Sequence, residues 1–401
     1  MSEFTENYKK RVNQITDYFI GLIEGKKGSE LLKEYDILET FFSPKDIIAA
    51  FDKIFEKEKD IEKIKTASNK LFNILYKALS EYEKYKYPEN SIIELLEKNN
   101  KGVKKLLAET SKYIKEINKN EQPELLQILK TKFLELEKFT VHYTVKENIL
   151  FPEIEKNWEQ YRCLKLMWSF HDDIRKNIKK TIEILQSKPF DLKLFNKISS
   201  KVYFNINTII FREESVLFPV AAETLNAEIF RNMLLQMQEF ELPYVKIPKI
   251  EKKRKAGNYI NSEDKKGLIK FATGEMTLEQ IELVFNHLPV DITFVDENNI
   301  VKFFSTPKHR IFPRTAGVIG RTVQNCHPHE SVSVVNKIVA SFKSGEKDSA
   351  SFWIPMGKKF VLIQYFAVRD KNNNYKGVLE VSQEISDIQK LTGERRLLDW
   401  D

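Results

Sequence analysis

The sequence predicts a multidomain protein, with an all-α N-terminal region that includes a four-helix bundle, followed by an α+β domain with an antiparallel five-stranded sheet. Apolar residues recur at three- and four-residue spacing through most of residues 6–240, which is the period of an amphipathic helix. Beyond residue 290, short alternating segments bounded by turn residues replace that pattern, as is typical of strands. The length of 401 residues exceeds that of one ordinary domain, so two or three domains are expected.

The helical part divides into two predicted domains. Residues 6–84 have the pattern of several helices, and Ser43-Pro44 supplies an N-cap followed by proline at the first helical position. An antiparallel bundle is predicted from the longer helical patterns at 91–120, 122–150, 157–187 and 190–219, with a short helix at 226–240. The predicted boundaries are 1–85 for a helical domain, 88–240 for the bundle, 241–275 for a linker, 276–391 for the α+β domain and 392–401 for a C-terminal tail.

One motif occurs twice in the predicted bundle, at Val141–Pro152 and at Ile209–Pro219, and both copies end in Leu-Phe-Pro. Superposing the two endings aligns Glu147 with Glu214, and the bundle contains only two histidines. Helix bundles build iron sites from imidazoles and carboxylates that project inward from facing helices. The predicted metal ligands are therefore His142, Glu147, His171 and Glu214.

The spacing of His142 and Glu147 also allows a purely structural interpretation. Five residues correspond to about 140° around an ideal helix, so these two side chains straddle the inward face instead of stacking on it. In that interpretation His142 is a hydrogen-bonded interior histidine, and the acids pair with Lys146, Arg212 or Arg175. Further candidates to complete the coordination of one or two iron or manganese ions are Glu94, Glu97 and Asn207.

These motifs resemble those of a hemerythrin-type HHE cation-binding domain, in the subfamily that places a helical domain of unknown function before it and a PAS domain after it. The matching segments are His142–Pro152, Met167–Arg175 and Glu213–Pro219. Relatives of this kind usually carry a histidine near the start of the first bundle helix, whereas Tyr87–Ser91 in this chain contains none. Because an oxygen carrier needs a fuller set of histidines, the resemblance does not imply an oxygen-carrier site.

The last third of the chain has the strand and helix order of a PAS domain, and its segments resemble the PAS type of the same subfamily. Trp353 and Tyr365, in two of its strands, are predicted to line a cavity, although such residues are more often sheet core. The predicted strands, around a helix-rich middle, are Asp291–Asp296, Ile300–Ser305, Ser349–Ile354, Lys359–Arg369 and Tyr375–Gln383.

The segment Asn325–His329 brings a thiol and two imidazoles within a few residues of each other. Cys326 and His327 are therefore predicted to bind haem or another cofactor, or to support redox chemistry through the thiol. A structural corner, with Cys326 as a small buried hydrophobe, is the alternative. The cationic candidates for holding a carboxylate or propionate are Arg310, Arg314 and Arg321.

Composition excludes several classes of protein. The formal charge of +7 comes from lysines set beside almost as many acids, which indicates solvated helix surfaces instead of a nucleic-acid-binding face. No apolar run is long enough to span a membrane, so a cytoplasmic protein with no membrane partner is expected. The two cysteines, Cys163 and Cys326, lie in different predicted domains and do not suggest a disulfide.

Together these patterns predict a cytosolic sensor or regulator that couples a metal-binding bundle, with non-haem iron or manganese, to a PAS signalling module. A di-iron enzyme acting on peroxide or nitric oxide, or in iron-cluster repair, is the first alternative, although no nucleophile constellation or phosphate-binding loop is present. An interaction protein with a degenerate metal site is the second. The expected partners are a second copy of the chain, bound through the PAS domain or the amphipathic segment Ile388–Trp400, or another protein.

Overall fold

The computed structural model describes residues 3–38, 40–82, 86–249, 268–271, 273–327 and 329–394. The chain forms two compact units, Met1–Glu251 and Lys252–Asp401. The basic run of the predicted linker at 252–255 and the predicted tail from residue 395 onward lie outside the described residues.

The first unit is built of α-helices, as the sequence predicts. Its N-terminal helices are α1 (Glu3–Ile23), α2 (Gly28–Glu34), α3 (Pro44–Lys57) and α4 (Ile61–Ser80). The helices that follow are α5 (Ile92–Ile117), α6 (Pro123–Phe139), α7 (Val141–Val145), α8 (Phe151–Asn157), α9 (Cys163–Gln186), α10 (Leu192–Arg212), α11 (Phe218–Thr224) and α12 (Ala227–Met237). Two π-helical turns, Lys146–Leu150 and Glu213–Leu217, join α7 to α8 and α10 to α11.

Side-chain caps fix where several of these helices begin. Ser43 accepts a hydrogen bond from the backbone N–H of Asp46, and the Asp46 carboxylate accepts one from the backbone N–H of Ser43. This capping box, with Pro44 at the first helical position, confirms the predicted start of α3. Ser91 and Asp191 cap α5 and α10 through one side-chain hydrogen bond each. Because the start of a helix sets which residues face inward, these caps position the bundle interior.

One apolar core serves the whole first unit, including the two helical domains predicted at 1–85 and 88–240. It extends along the chain from Val12 to Leu242. Within it, α1 packs on α3 and α4, and both α3 and α4 pack on α9. Helix α9 also contacts α6 and α10, and α5 contacts the same two helices, which closes a four-helix bundle.

The segment after α12 crosses α5 at a glycine. A Cβ atom at Gly102 would lie 2.3 Å from the side chain of Tyr244, so only glycine allows this close approach. At the crossing, the backbone N–H of Tyr244 donates to Oδ1 of Asn99 at 3.2 Å. This hydrogen bond fixes which way the Asn99 amide faces inside the bundle.

The second unit confirms the predicted α+β domain. It contains α13 (Leu278–His287) and α14 (His329–Ser344), with short 3₁₀ turns between β4 and α14. Its antiparallel sheet has the strand order β4-β3-β7-β6-β5. The strands are β1 (Leu268–Phe271), β2 (Gly274–Thr277), β3 (Asp291–Asp296), β4 (Val301–Phe304), β5 (Ser349–Met356), β6 (Lys359–Arg369) and β7 (Tyr375–Glu384).

Strands β1 and β2 form a separate antiparallel hairpin that lies mostly within the predicted linker at 241–275. The buried apolar core of the second unit is small, with one cluster around Val295 and Val301 and another around Val339 and Phe342. Within the residues that the structure describes, no helix is long and apolar enough to cross a membrane.

Candidate functional site

A group of polar side chains lies in the centre of the bundle, where the two π-helical turns face each other. It consists of His142, Lys146, Glu147, His171 and Glu213, and each of these residues is at most 4% exposed. Burying polar groups costs free energy unless they are paired, so their partners decide what the group can do. We call these five residues the central cluster.

Glu213 is the acceptor in one half of the central cluster. Its carboxylate accepts hydrogen bonds from Nδ2 of Asn100 at 3.0 Å, from Nε2 of His142 at 3.3 Å and from the ammonium group of Lys146. The Lys146 ammonium also lies 4.8 Å from the centre of the Tyr143 ring. Lys146 therefore neutralises a carboxylate that is itself completely buried.

Glu147 is the acceptor in the other half. It accepts a hydrogen bond from Nδ1 of His171 at 2.7 Å and two from Arg175, at 2.7 and 3.0 Å. The His171 ring stacks on the ring of Tyr143, with 4.4 Å between their centres. Nε2 of His171 and the hydroxyl of Tyr143 are buried and have no hydrogen-bond partner among the described residues.

The hydrogen-bond partners assign different tautomers to the two histidines. Because Asn99 uses its Oδ1 for Tyr244, its Nδ2 donates to Nδ1 of His142 at 3.2 Å, so the proton of His142 is on Nε2. His171 donates from Nδ1 to Glu147, which leaves a lone pair on its unpartnered Nε2. As arranged here, Nε2 of His171 presents a lone pair, whereas Nε2 of His142 carries a proton.

Burial and charge keep both imidazoles neutral. Burial lowers the pKa of His142 and of His171 well below the usual histidine range, and the positive charge of Lys146 lowers both further. Burial also lowers the pKa of Lys146, although the negative charge of Glu147 opposes that shift. Neutral imidazoles are the form that binds metal ions.

The structure brings three of the four predicted metal ligands into the central cluster and leaves out the fourth. Glu214 lies at the edge of the bundle, where it accepts a hydrogen bond from Lys104 at 3.0 Å, and its neighbour Glu213 faces the interior instead. Glu147 does face inward, despite its five-residue spacing from His142. The π-helical turn that begins at Lys146 accommodates an extra residue, which the ideal-helix geometry did not allow for.

The further metal candidates lie away from the central cluster. Glu97 accepts a hydrogen bond from the hydroxyl of Tyr87, and Glu94 pairs with Lys98 at 2.7 Å in the first turn of α5. The amide of Asn207 donates to the carbonyl of Tyr203, one turn earlier on α10, at 2.8 Å. These contacts give all three residues a local structural role.

Lys146 and Glu213 were not predicted as site residues, but the sequence contains a signal for both. Lys146 lies four residues after His142, the spacing that places two side chains on one helix face. Superposing the Leu-Phe-Pro endings aligns Lys146 with Glu213, opposite charges at equivalent positions of the two copies. That pairing is the one the structure forms.

In the second unit, the predicted cofactor residues are held by the domain itself. Nδ1 of His327 donates to the carbonyl of Val323 at 2.8 Å, and Cys326 packs against the valine core of the sheet. Arg321 is buried. The side chain of His329 lies outside the described residues. These contacts are those of a structural corner, and haem or redox chemistry here stays a prediction.

The other predicted site residues of the second unit differ in their contacts and in their exposure. Arg314 pairs with Glu380 at 3.1 Å, and Arg310 donates to the carbonyl of Phe312 at 2.8 Å. Trp353 is 62% exposed on the edge strand β5, so it does not line an internal cavity. Tyr365 packs against Phe352, with 5.7 Å between the ring centres, and burial raises its pKa.

Comparison with known families finds a hemerythrin HHE cation-binding domain at residues 91–221 and a PAS domain at residues 281–386. Both matches confirm the resemblance described from the sequence. No curated protein matches the chain.

Several solved structures are similar to parts of the chain, among them the following three. The C-terminal domain of a Streptococcus mutans protein is 33% identical, over 31% of this chain and 97% of that one, with a TM-score of 0.30. A sensory box sensor histidine kinase from Vibrio cholerae is 10% identical, over 26% of this chain and 89% of that one, with a TM-score of 0.21. The PAS domain of a Colwellia psychrerythraea protein is 12% identical, over 27% of this chain and 98% of that one, with a TM-score of 0.22.

Proposed function

We propose that this chain, which contains a hemerythrin HHE cation-binding domain and a PAS domain, is a sensor or regulator that responds to an iron or manganese ion in the bundle. The observation that carries the proposal is the state of His171. Its Nδ1 is held by Glu147, while its Nε2 is buried with a lone pair and without a partner in the described part of the chain. A carboxylate on one ring nitrogen is the usual support for a histidine that binds a metal through the other.

The donor set of the central cluster suits a transition metal, but the chain's own cations occupy it. Lys146 neutralises Glu213, and Arg175 neutralises Glu147. No group of three or more histidine, cysteine, aspartate or glutamate side chains in the described residues is arranged to hold a metal ion. The residues that would hold one are His142, Glu147, His171 and Glu213, two imidazoles and two carboxylates.

A metal ion and the Lys146 ammonium group would compete for Glu213. Only one of them can neutralise this carboxylate, so metal binding would require Lys146 to leave and the proton of His142 to pass from Nε2 to Nδ1. Asn99 would then have to turn its amide so that its oxygen accepts that proton. A bound iron ion would supply sensitivity to oxygen, nitric oxide or redox state. A sensor needs two states that differ in their affinity for a ligand. The Lys146-paired cluster and the metal-bound cluster would be two such states.

The test is a metal titration of the full-length protein, purified without oxygen and without an affinity tag. We expect wild-type protein to bind one or two Fe²⁺ or Mn²⁺ ions per chain by mass spectrometry and calorimetry. Lys146→Met removes the competing cation, so it should bind at least tenfold more tightly. Glu214→Gln, at the edge of the bundle, is the matched control and should bind like wild type.

Two results would overturn the proposal. The first is that neither wild type nor Lys146→Met binds a metal ion. The second is that a double variant, His142→Ala with His171→Ala, keeps the metal content of wild type, because the ion would then lie elsewhere.

A second candidate function is an interaction protein in which Lys146 permanently takes the place of the metal. The observation that favours it is the protonated Nε2 of His142, which donates to Glu213 alongside Lys146. In that case wild-type protein would bind no ion at millimolar metal concentrations, whereas Lys146→Met would bind one. The same titration therefore separates the two functions.

A further inference from the structure

Arg212, the last residue of α10, is a buried cation with no acidic partner in the part of the chain that the structure describes. It is 3% exposed, and its guanidinium lies between the rings of Phe72 and Phe170, 4.6 and 4.5 Å from their centres. Nη2 donates to Oγ of Ser68 and to Oδ1 of Asn69, each at 2.9 Å. Nε and Nη1 have no hydrogen-bond partner within the described residues. The charge of Arg212 is therefore left without a counter-charge.

This arrangement differs from that of the two cations paired with the carboxylates of the central cluster. Lys146 and Arg175 are each paired with a buried carboxylate, whereas the only partners of Arg212 among the described residues are a hydroxyl, an amide and two aromatic rings. A buried charge that is not compensated is unfavourable, and neutral hydrogen-bond acceptors offset only part of that cost. The position therefore has a strong preference for an anion.

A small cavity lies beside Arg212, between the N-terminal helices and the bundle. Its volume is about 30 Å³, room for a group the size of one or two water molecules. Arg212 contributes the only charged side chain to the wall among the described residues. The rest of the wall is apolar or sulfur-containing and includes Ile48, Phe51, Met167 and Cys163.

We propose that this cavity is a binding site for a small monovalent anion, held by the guanidinium group of Arg212. Its unpartnered nitrogens supply the donors, and the cavity that Arg212 lines supplies the space. The proposal does not depend on metal binding in the central cluster. Because Ser68 and Asn69 belong to α4, an anion here would strengthen the contact between the N-terminal helices and the bundle.

The wall of the cavity determines which anions fit. Apolar side chains cannot replace the hydration shell of a divalent oxyanion, so sulfate and phosphate should be excluded by both charge and size. Nitrate, formate, chloride and bromide are monovalent and compact. Gluconate is monovalent but too large for the cavity, which makes it a suitable reference anion at equal ionic strength.

The first experiment compares thermal unfolding of the full-length protein in sodium nitrate or formate with unfolding in sodium gluconate. We expect a saturable rise in the unfolding midpoint, about 5–10 °C at a hundred times the dissociation constant. Arg212→Met removes the charge and keeps an apolar side chain, so it should lose this rise. Lys104→Met removes an exposed cation and should keep it. Equal rises in wild type and Arg212→Met would overturn the proposal.

A second measurement does not depend on the folding of a variant. Crystals of wild-type protein soaked in sodium bromide should show an anomalous difference peak in contact with the Arg212 guanidinium. Bromide peaks confined to the protein surface, with ordinary water density beside Arg212, would show that water fills the cavity and would overturn the proposal.

Discussion

The two π-helical turns of the bundle have the same length and precede the same Phe-Pro pair, yet they place opposite charges at their first position. Lys146 is the first residue of one turn and Glu213 is the first residue of the other, and their side chains form an ion pair. At the second position both turns have a glutamate. Glu147 is buried in the central cluster, whereas Glu214 pairs with Lys104 at the edge of the bundle.

The two copies of the motif therefore have the same backbone conformation but carry different charges. A bundle with two equivalent acidic turns would gather negative charge at its centre and would need external cations to balance it. Here Lys146 and Arg175 balance Glu213 and Glu147, so the central cluster together with Arg175 is neutral without a ligand. A metal ion bound as proposed would therefore compete with a cation that belongs to the chain.

The largest expected effect on stability comes from removing the negative charge of Glu213, the first residue of the second π-helical turn. Glu213→Gln leaves the buried ammonium of Lys146 without its counter-charge, and breaking a buried pair in this way costs about 3–5 kcal/mol. We expect the free energy of unfolding, measured with urea, to fall by that amount. The double variant Lys146→Met with Glu213→Leu removes both charges and should recover most of the loss. A single variant as stable as wild type would contradict a charged pair.

A smaller effect is expected from pH, and it arises from α7 and α9, which carry the two bundle histidines. Burial lowers the pKa of His142 and His171 in the folded protein, so the unfolded chain takes up protons first as the pH falls. Stability is therefore full above the unfolded histidine pKa of about 6.5 and is lost as the pH falls below it. Below that pH, each imidazole lowers the free energy of unfolding by about 1.4 kcal/mol for every pH unit.

Urea unfolding between pH 7.5 and 5.5 measures this slope. Acidic groups also titrate at the lower end of the range, so the matched comparison is a variant in which both His142 and His171 are replaced by Gln. The variant should show a flatter dependence than wild type between pH 6.5 and 5.5. Identical slopes would mean that the two imidazoles are not buried in the neutral form.

Much of the fold was predictable because its signals are local and periodic. The start of α3 at Ser43-Pro44 and the strands of the sheet follow from caps and alternation. The hairpin formed by β1 and β2 was not predicted, because every residue of β1 is exposed and so shows no alternation. The single core shared by 1–85 and 88–240 was not predictable either, since packing between distant segments leaves no periodic signal.

The site was predictable in part. His142, Glu147 and His171 were identified because histidine is rare in the bundle and the acidic residue recurs in both copies of the motif. Glu213 was missed in favour of Glu214, because an ideal helix cannot show which of two adjacent acids a π-helical turn directs inward. The unpaired state of Arg212 depends on which side chains surround it, and only the structure provides that information.

The smallest expected effect tests the second position of the second turn. Glu214 has a side chain that is 20% exposed, and it pairs with the more exposed Lys104. Exposed ion pairs contribute about 0–1 kcal/mol because water and salt screen them, so Glu214→Gln should lower the free energy of unfolding by no more than that. The loss should shrink further in 0.5 M sodium chloride. A loss as large as that of Glu213→Gln would mean that the two adjacent acids share one environment, and the asymmetry between the two turns would then not exist.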